Sequence, residues 1–175
     1  MTDLAPRTPR QLAALLDGSG RAIVTEMTAL GPHAAERLID GAWCANEVVG
    51  HLIEAERRGF AGRIRAMIAE DRPPLQTWVP ATVAAARRDD ERDPEALVAE
   101  LTTLRDESLA LVRSLGPGAL ARVGLHPQVG EVTVSEIAHE WVHHDREHLG
   151  QLLELTRRLV WPAMGNARFF SDPDG

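Results

Sequence analysis

The segment His144-Asp145-Arg146-Glu147-His148-Leu149-Gly150-Gln151 places two imidazoles four residues apart inside a long apolar-periodic stretch. On a helix that spacing stacks both rings on one face, where they can share an ion. At ~100° per residue they project with Ile137, Trp141, Leu155 and Leu159, toward the predicted core. A buried imidazole without a partner is unfavourable, and a metal ion is the partner that would use both rings at once. Such a pair needs at least one more protein ligand. His51, in Trp43-Cys44-Ala45-Asn46-Glu47-Val48-Val49-Gly50-His51, offers it from a second long segment. By phase it lies at the edge of an arc formed by Val48, Ala55, Gly59 and Gly62, and the small residues Gly50, Ala55, Gly59 and Gly62 would admit a neighbouring helix. Two histidines from one helix and one from another leave coordination positions for water or substrate, as in catalytic rather than structural sites. Gln151 continues the same face and suits an interhelical or ring-orienting role.

Other polar residues rank below these three. Glu54, Glu140 and Glu147 flank the histidine face, where each could orient an imidazole or take a proton; the alternative is a solvated acid paired with Arg57, Arg58 or Arg146. His139 and His143 fall on the opposite side or flank of their helix and suit solvent or a subunit interface. His126, in a turn, and His33, after a Gly-Pro stop, read as surface residues, with His126 able to line a pocket mouth. Cys44 stands at a helix N-terminus, which favours a thiolate, yet it lies ~10.5 Å along the axis from His51, too far to share an ion. It reads as a small cap. Trp43, Trp78, Trp141 and Trp161 read as core anchors, with Trp141 as a wall of the metal pocket. Arg57, Arg58, Arg87 and Arg88 are candidates for an anion-binding cluster near the site.

Four long helices must position these groups, and no alternating strand is evident. The first runs from about Thr8 to Leu30, with Leu12, Leu15, Leu16, Ile23 and Met27 toward the core and a kink or break expected at Gly18-Ser19-Gly20. The second starts after Trp43, with Cys44 and Glu47 resembling a weak capping box, and runs to about Glu70. Asp93-Pro94-Glu95 opens the third, which extends to Leu115. Thr133-Val134-Ser135-Glu136 is a capping box for the fourth, ending near Val160 before Trp161-Pro162. Residues 71–92 and 116–132 are long connections, the kind that often form lids or packing crossovers. The first carries Leu75-Gln76-Thr77-Trp78-Val79 and a short helix over Ala81–Arg88. Residues 1–164 read as one domain. The tail from Gly165 to Gly175 reads as frayed, with Phe169-Phe170 as a docking point.

Bulk properties narrow the function. The chain has 175 residues, enough for one well-packed domain, and its 44% hydrophobic and 26% charged composition is that of a soluble globular protein. A net charge of -7, with the arginines dispersed among acids, argues against a nucleic-acid partner. Met1-Thr2-Asp3-Leu4-Ala5-Pro6 lacks the features of a signal peptide, and no apolar run approaches the ~20 residues of a membrane span. One cysteine excludes an internal disulfide and fits a reducing cytoplasm.

Trp43-x-x-x-Glu47-x-x-x-His51 on the second helix, with His144-x-x-x-His148-x-x-Gln151 on the fourth, resembles the DinB/YfiT-like family of small bacterial metal-binding bundles. His126-Pro127-Gln128-Val129-Gly130-Glu131-Val132-Thr133, before the last helix, fits the same pattern, and the resemblance covers nearly the whole chain. It departs at Cys44, where the family commonly has serine. With the resemblance, the chain is expected to be an all-α, up-and-down-like four-helix bundle with long crossovers. The resemblance implies one divalent metal, zinc, nickel or similar, at His51, His144 and His148. It further implies a transferase or isomerase using a low-molecular-weight thiol such as bacillithiol or mycothiol. A metal-dependent hydrolase and a non-catalytic, stress-associated metal binder are the alternatives. A homodimer is expected, from the family and from the broad apolar faces of the first two helices.

Overall fold

The computed structural model describes residues 5–171. Helix α1 spans Pro9–Leu30, opened by a reciprocal capping box in which the Thr8 hydroxyl accepts from the Gln11 backbone and the Gln11 side chain accepts from the Thr8 backbone. The expected break at Gly18-Ser19-Gly20 does not occur. Ser19 and Gly20 are buried instead, and a Cβ on Gly20 would stand 3.3 Å from Cγ of Arg105. The small residues admit a long side chain without interrupting the helix. Leu15, expected in the core, is 37% exposed.

The second rod is not one regular helix. Helix α2 spans Ala45–Glu54, a wide π turn occupies Ala55–Phe60, and α3 follows over Ala61–Ala69. Cys44 caps α2 reciprocally with Glu47, whose carboxylate accepts from the Cys44 N–H at 2.9 Å. In the π turn the Ala61 N–H donates to the carbonyl of Glu56, five residues back. The bulge brings the Arg57 carbonyl to 2.5 Å from where a Cβ of Gly62 would be, so a side chain there is excluded. The other small residues also differ from expectation, because they receive crossover side chains rather than a helix. A Cβ on Gly50 would overlap Asp89, and one on Gly59 would meet Trp78 at 2.6 Å.

The crossover contains α4, Pro80–Arg87, close to the short helix expected there. Helix α5, Pro94–Ser114, is capped by Asp93, whose side chain accepts from the Glu95 N–H. The short α6, Pro117–Leu120, leads into a feature the sequence reading missed, an antiparallel hairpin of β1, Val123–His126, and β2, Gly130–Thr133. Four-residue strands are too short for alternation to register, and Gly130 takes the φ of +80° that the turn requires. Helix α7, Val134–Val160, starts at the Thr133–Glu136 capping box. A kinked 3₁₀ segment, Trp161–Phe170, replaces the frayed tail expected over its residues, and Phe169 and Phe170 stay exposed. The expectations for residues 1–4 and 172–175 lie outside the described residues.

Helix α1 packs against α5 and α7, and α2 against the same pair. The four-helix bundle is the one expected, but its order is not up-and-down, because the long crossovers set the first rod beside the third and fourth instead of beside the second. The apolar face of α1 is thus shared between two neighbours within one chain. The core divides into two apolar halves. Leu12, Leu16, Phe60, Ile64, Met67, Val112 and Trp141 belong to one, and Ile23, Met27, Leu52, Ile53, Leu101, Leu152 and Leu155 to the other. Between them, at corresponding levels of the helices, lie Ser19, Glu56, Arg105 and Asp145, all buried. No described helix is long and apolar enough to cross a membrane.

Candidate metal centre

Helical phase on α2 and α7 brings His51, His144 and His148 together, half-buried, at the polar level of the bundle. Each offers one ring nitrogen, and the three nitrogens lie within 4.8 Å of one another. Nε2 of His51 is 3.0 Å from Nε2 of His144. Two imidazole nitrogens bound to one ion at about 2.0–2.1 Å would stand about 3 Å apart, so this donor pair fits a shared ion. Gln151 lies where its phase placed it, with its carbonyl oxygen 2.9 Å from Nδ1 of His148. If that nitrogen carries the proton, it donates to Gln151 and leaves Nε2 with a free lone pair. Nδ1 of His144 is buried without a partner among the described residues.

The electrostatics favour neutral rings at His51 and His144. Burial, then the neighbouring His148, push His51 down to about 4. Burial, then His148, His51 and His143, push His144 down to about 3. Neutral imidazoles present lone pairs at physiological pH, as a metal ligand must.

The walls are aromatic. Trp43 lies 5.2 Å from His51 between ring centroids, and Phe60 lies 5.1 Å from His144 in an edge-on arrangement. Trp141, buried as expected of a core anchor, stacks on Phe60 at 5.2 Å, and the ring that meets His144 is Phe60, where Trp141 was the expected wall. Phe60 was not foreseen, because at a regular ~100° per residue it falls opposite His51, and the π turn is what brings it inward. Beside Trp43 and Gln151 opens a cavity of about 560 Å³, lined also by Val48, Leu155, Glu147 and Glu154.

The carboxylates near the histidine face separate clearly. Glu54 is buried and committed, meeting Arg57 at 2.7 Å, Arg87 at 2.8 Å and Arg58 at 2.6 Å. Glu140 and Glu147 are exposed, and Glu147 lies 3.6 Å from His143. The candidate anion-binding arginines are also taken. Arg57 also pairs with Glu100, Arg87 with Asp89, and Arg88 with Glu91. His139 accepts from the Arg7 backbone at 2.9 Å, and His33 pairs with Glu36. Cys44 is buried and its thiol is pushed up to about 11, mainly by burial, which suits a cap and not a nucleophile.

A charged cluster that the sequence reading did not find adjoins the histidines. Arg105 donates from Nε and Nη2 to Glu56, and from Nη1 to Asp145 at 2.7 Å and to the Leu16 carbonyl at 2.6 Å. Burial raises both carboxylates despite Arg105, and burial opposes the guanidinium charge that Asp145 and Glu56 restore. The available signal was weak: an arginine on the apolar phase of α5 and an acid directly after His144.

Residues 5–152 match the model of the DinB superfamily. YfiT of Bacillus subtilis (strain 168) is 26% identical over 123 residues, 70% of this chain and 68% of that protein. The solved structure of YfiT, described as a probable metal-dependent hydrolase with an unusual four-helix bundle topology, superposes with a TM-score of 0.80 at 19% identity, covering 91% of each chain. A crystal structure of the mycothiol-dependent maleylpyruvate isomerase gives a TM-score of 0.65 at 15% identity, covering 83% of this chain and 61% of that one. At these identities the structural likenesses establish the shared fold.

Proposed function

This chain belongs to the DinB superfamily, and we propose that it is a metal-dependent enzyme with one divalent ion, zinc, nickel or similar, held by His51, His144 and His148. The observation that carries this reading is the convergence of three ring nitrogens from two helices within 4.8 Å. A bound ion would lower the pKa of a small thiol or water, or polarise an electrophile. Gln151 would hold the His148 ring in the tautomer that frees Nε2, while Trp43 and Phe60 would limit water around the rings. The cavity beside Trp43 would receive a small-molecule substrate of largely apolar shape.

Thiol transfer or isomerisation, with a bacillithiol-like or mycothiol-like cofactor, is the leading reaction class, in keeping with the mycothiol-dependent isomerase that shares the fold. Hydrolysis is the second reading. It is favoured by the pairing of Arg57, Arg58, Arg87 and Arg88 with carboxylates, which leaves them poorly placed to receive the carboxylates of such a thiol. Cobalt-loaded protein mixed with either thiol should develop a sulfur-to-metal charge-transfer band that is absent in His148→Ala. Cobalt that loads without any spectral response to thiol rejects the transferase reading. Failure to turn over ester or amide substrates as well would leave a non-catalytic, stress-associated metal binder. We propose a cytoplasmic homodimer; light scattering at the 19.1 kDa monomer mass across micromolar concentrations would refute the dimer.

A further inference from the structure

Interior polar groups are ordinarily hydrogen-bonded, so unpartnered buried donors call for a reason. Among the described residues the buried side-chain atoms without a partner include two N–H donors, Arg63 Nε and Trp78 Nε1. Both residues line the same cavity, about 430 Å³, between α3 and the crossover that follows it. Arg63 lies over the Trp78 ring, 5.3 Å from its centroid, and its Nη2 donates to the Gln76 carbonyl at 2.9 Å. Its other neighbour is Nε2 of His126, 3.3 Å from Nη2. Burial and then Arg63 both push His126 below the ordinary imidazole range, so it meets the guanidinium as a neutral ring.

Charge separates this site from the other arginine clusters. Arg57, Arg58, Arg87, Arg88, Arg92 and Arg105 all meet carboxylates. Arg63 is half-buried, and burial alone shifts it downward, with no carboxylate among the described residues contributing. A desolvated cation without a counterion is unfavourable unless something supplies the charge. Arg58 also lines the cavity, and the apolar surface comes from Ala66, Pro73 and Leu75. Glu70 is the one acid among the described residues that line it.

We infer that this cavity is an anion-binding site, in which Arg63 and Trp78 receive the carboxylate or phosphate of a small molecule with an apolar body. It shares no lining residue with the histidine cluster, so it does not depend on the metal reading. An oxyanion would supply the missing charge and the missing acceptors together, through charge-assisted hydrogen bonds. The two headgroup chemistries differ in charge and geometry, and titration tells them apart.

The test follows Arg63 Nε–H and Trp78 indole N–H resonances of the full-length ¹⁵N-labelled protein while benzoate, phenyl phosphate or neutral benzyl alcohol is added. One or both anions should give saturable shifts, and benzyl alcohol should not. Arg63→Met should weaken binding by about tenfold or more, the loss of a charged hydrogen-bond partner. Trp78→Phe, which keeps the ring and removes the N–H, should weaken it less. The same titration in His144→Ala/His148→Ala should be unchanged, which separates this site from carboxylates binding a metal ion. Absence of saturable shifts with both anions, equal binding of benzyl alcohol, or loss of binding in the histidine variant overturns the inference. The wild-type titration decides it even if Arg63→Met does not fold.

Discussion

The Glu56–Arg105–Asp145 cluster and the His51–His144–His148 cluster meet on α7 at adjacent residues, yet they end in opposite states. Every guanidinium nitrogen of Arg105 has a carboxylate or carbonyl partner, and the carboxylates close around it. The three histidines face one another with ring nitrogens within 4.8 Å, His51 and His144 held neutral by burial, and among the described residues one buried ring nitrogen has no partner. A saturated polar layer fixes how the helices sit. An unsaturated one beside it leaves coordination capacity that the protein does not fill itself. The pairing suggests a division of labour: Arg105 sets the position of α7 against α1, α5 and the π turn, and α7 in turn presents His144 and His148.

The strongest way to break that comparison is to remove the shared cation. Arg105→Met should leave two buried carboxylates uncompensated and destabilise the fold by about 3–5 kcal/mol in chemical denaturation. Adding Glu56→Leu and Asp145→Leu should recover much of that loss, because a buried ion cluster replaced as a whole by apolar groups is often tolerated. A single variant within measurement error of the parent would show that the cluster is not structural.

Next in size is the effect on the ion. His144→Ala/His148→Ala should reduce bound metal by at least about tenfold in elemental analysis, since it removes ligands rather than their supports. The circular dichroism spectrum should remain helical. Full occupancy in that variant would remove the distinction between the two clusters. Gln151→Ala sharpens the same point more gently, with metal affinity expected to fall by about tenfold.

The smallest expected effect is a pH slope in metal-free protein. His51 and His144 titrate near 4 and 3 in the fold, against about 6.5 unfolded. Between those values the unfolded chain holds more protons, so stability rises with pH and is lost as pH falls from about 6.5 toward 4. Urea midpoints measured across that range should show a shallower slope in His51→Ala/His144→Ala. An identical slope would mean that the rings are not desolvated as described.

What was legible in the sequence followed from regular periodicity. His144 and His148 lie in a helix of unbroken 3.6 period, capped by an unmistakable Thr133–Glu136 box, so their common face could be read directly. His51 sits before the π turn, where phase still holds, and so could be placed as well. Past Ala55 it could not. The wide turn resets the helical phase, which hid both Phe60 and Glu56, one of the two carboxylates that meet Arg105. The hairpin escaped because each strand is four residues long and its register depends on partners, not on alternation. Gly50 and Gly59 were recognised as points of close approach, but the approaching groups are Asp89 and Trp78 from a crossover whose path no local signal encodes.

The π turn also bears on how this chain should be compared with its relatives. A wide turn is a single residue inserted into a helix and tolerated there. Where a relative keeps a plain α-helix at this point, the correct alignment carries a one-residue gap between Ala55 and Phe60. An ungapped comparison would then set every position through α3 beside the wrong neighbour, and shared ancestry in that stretch would register as noise.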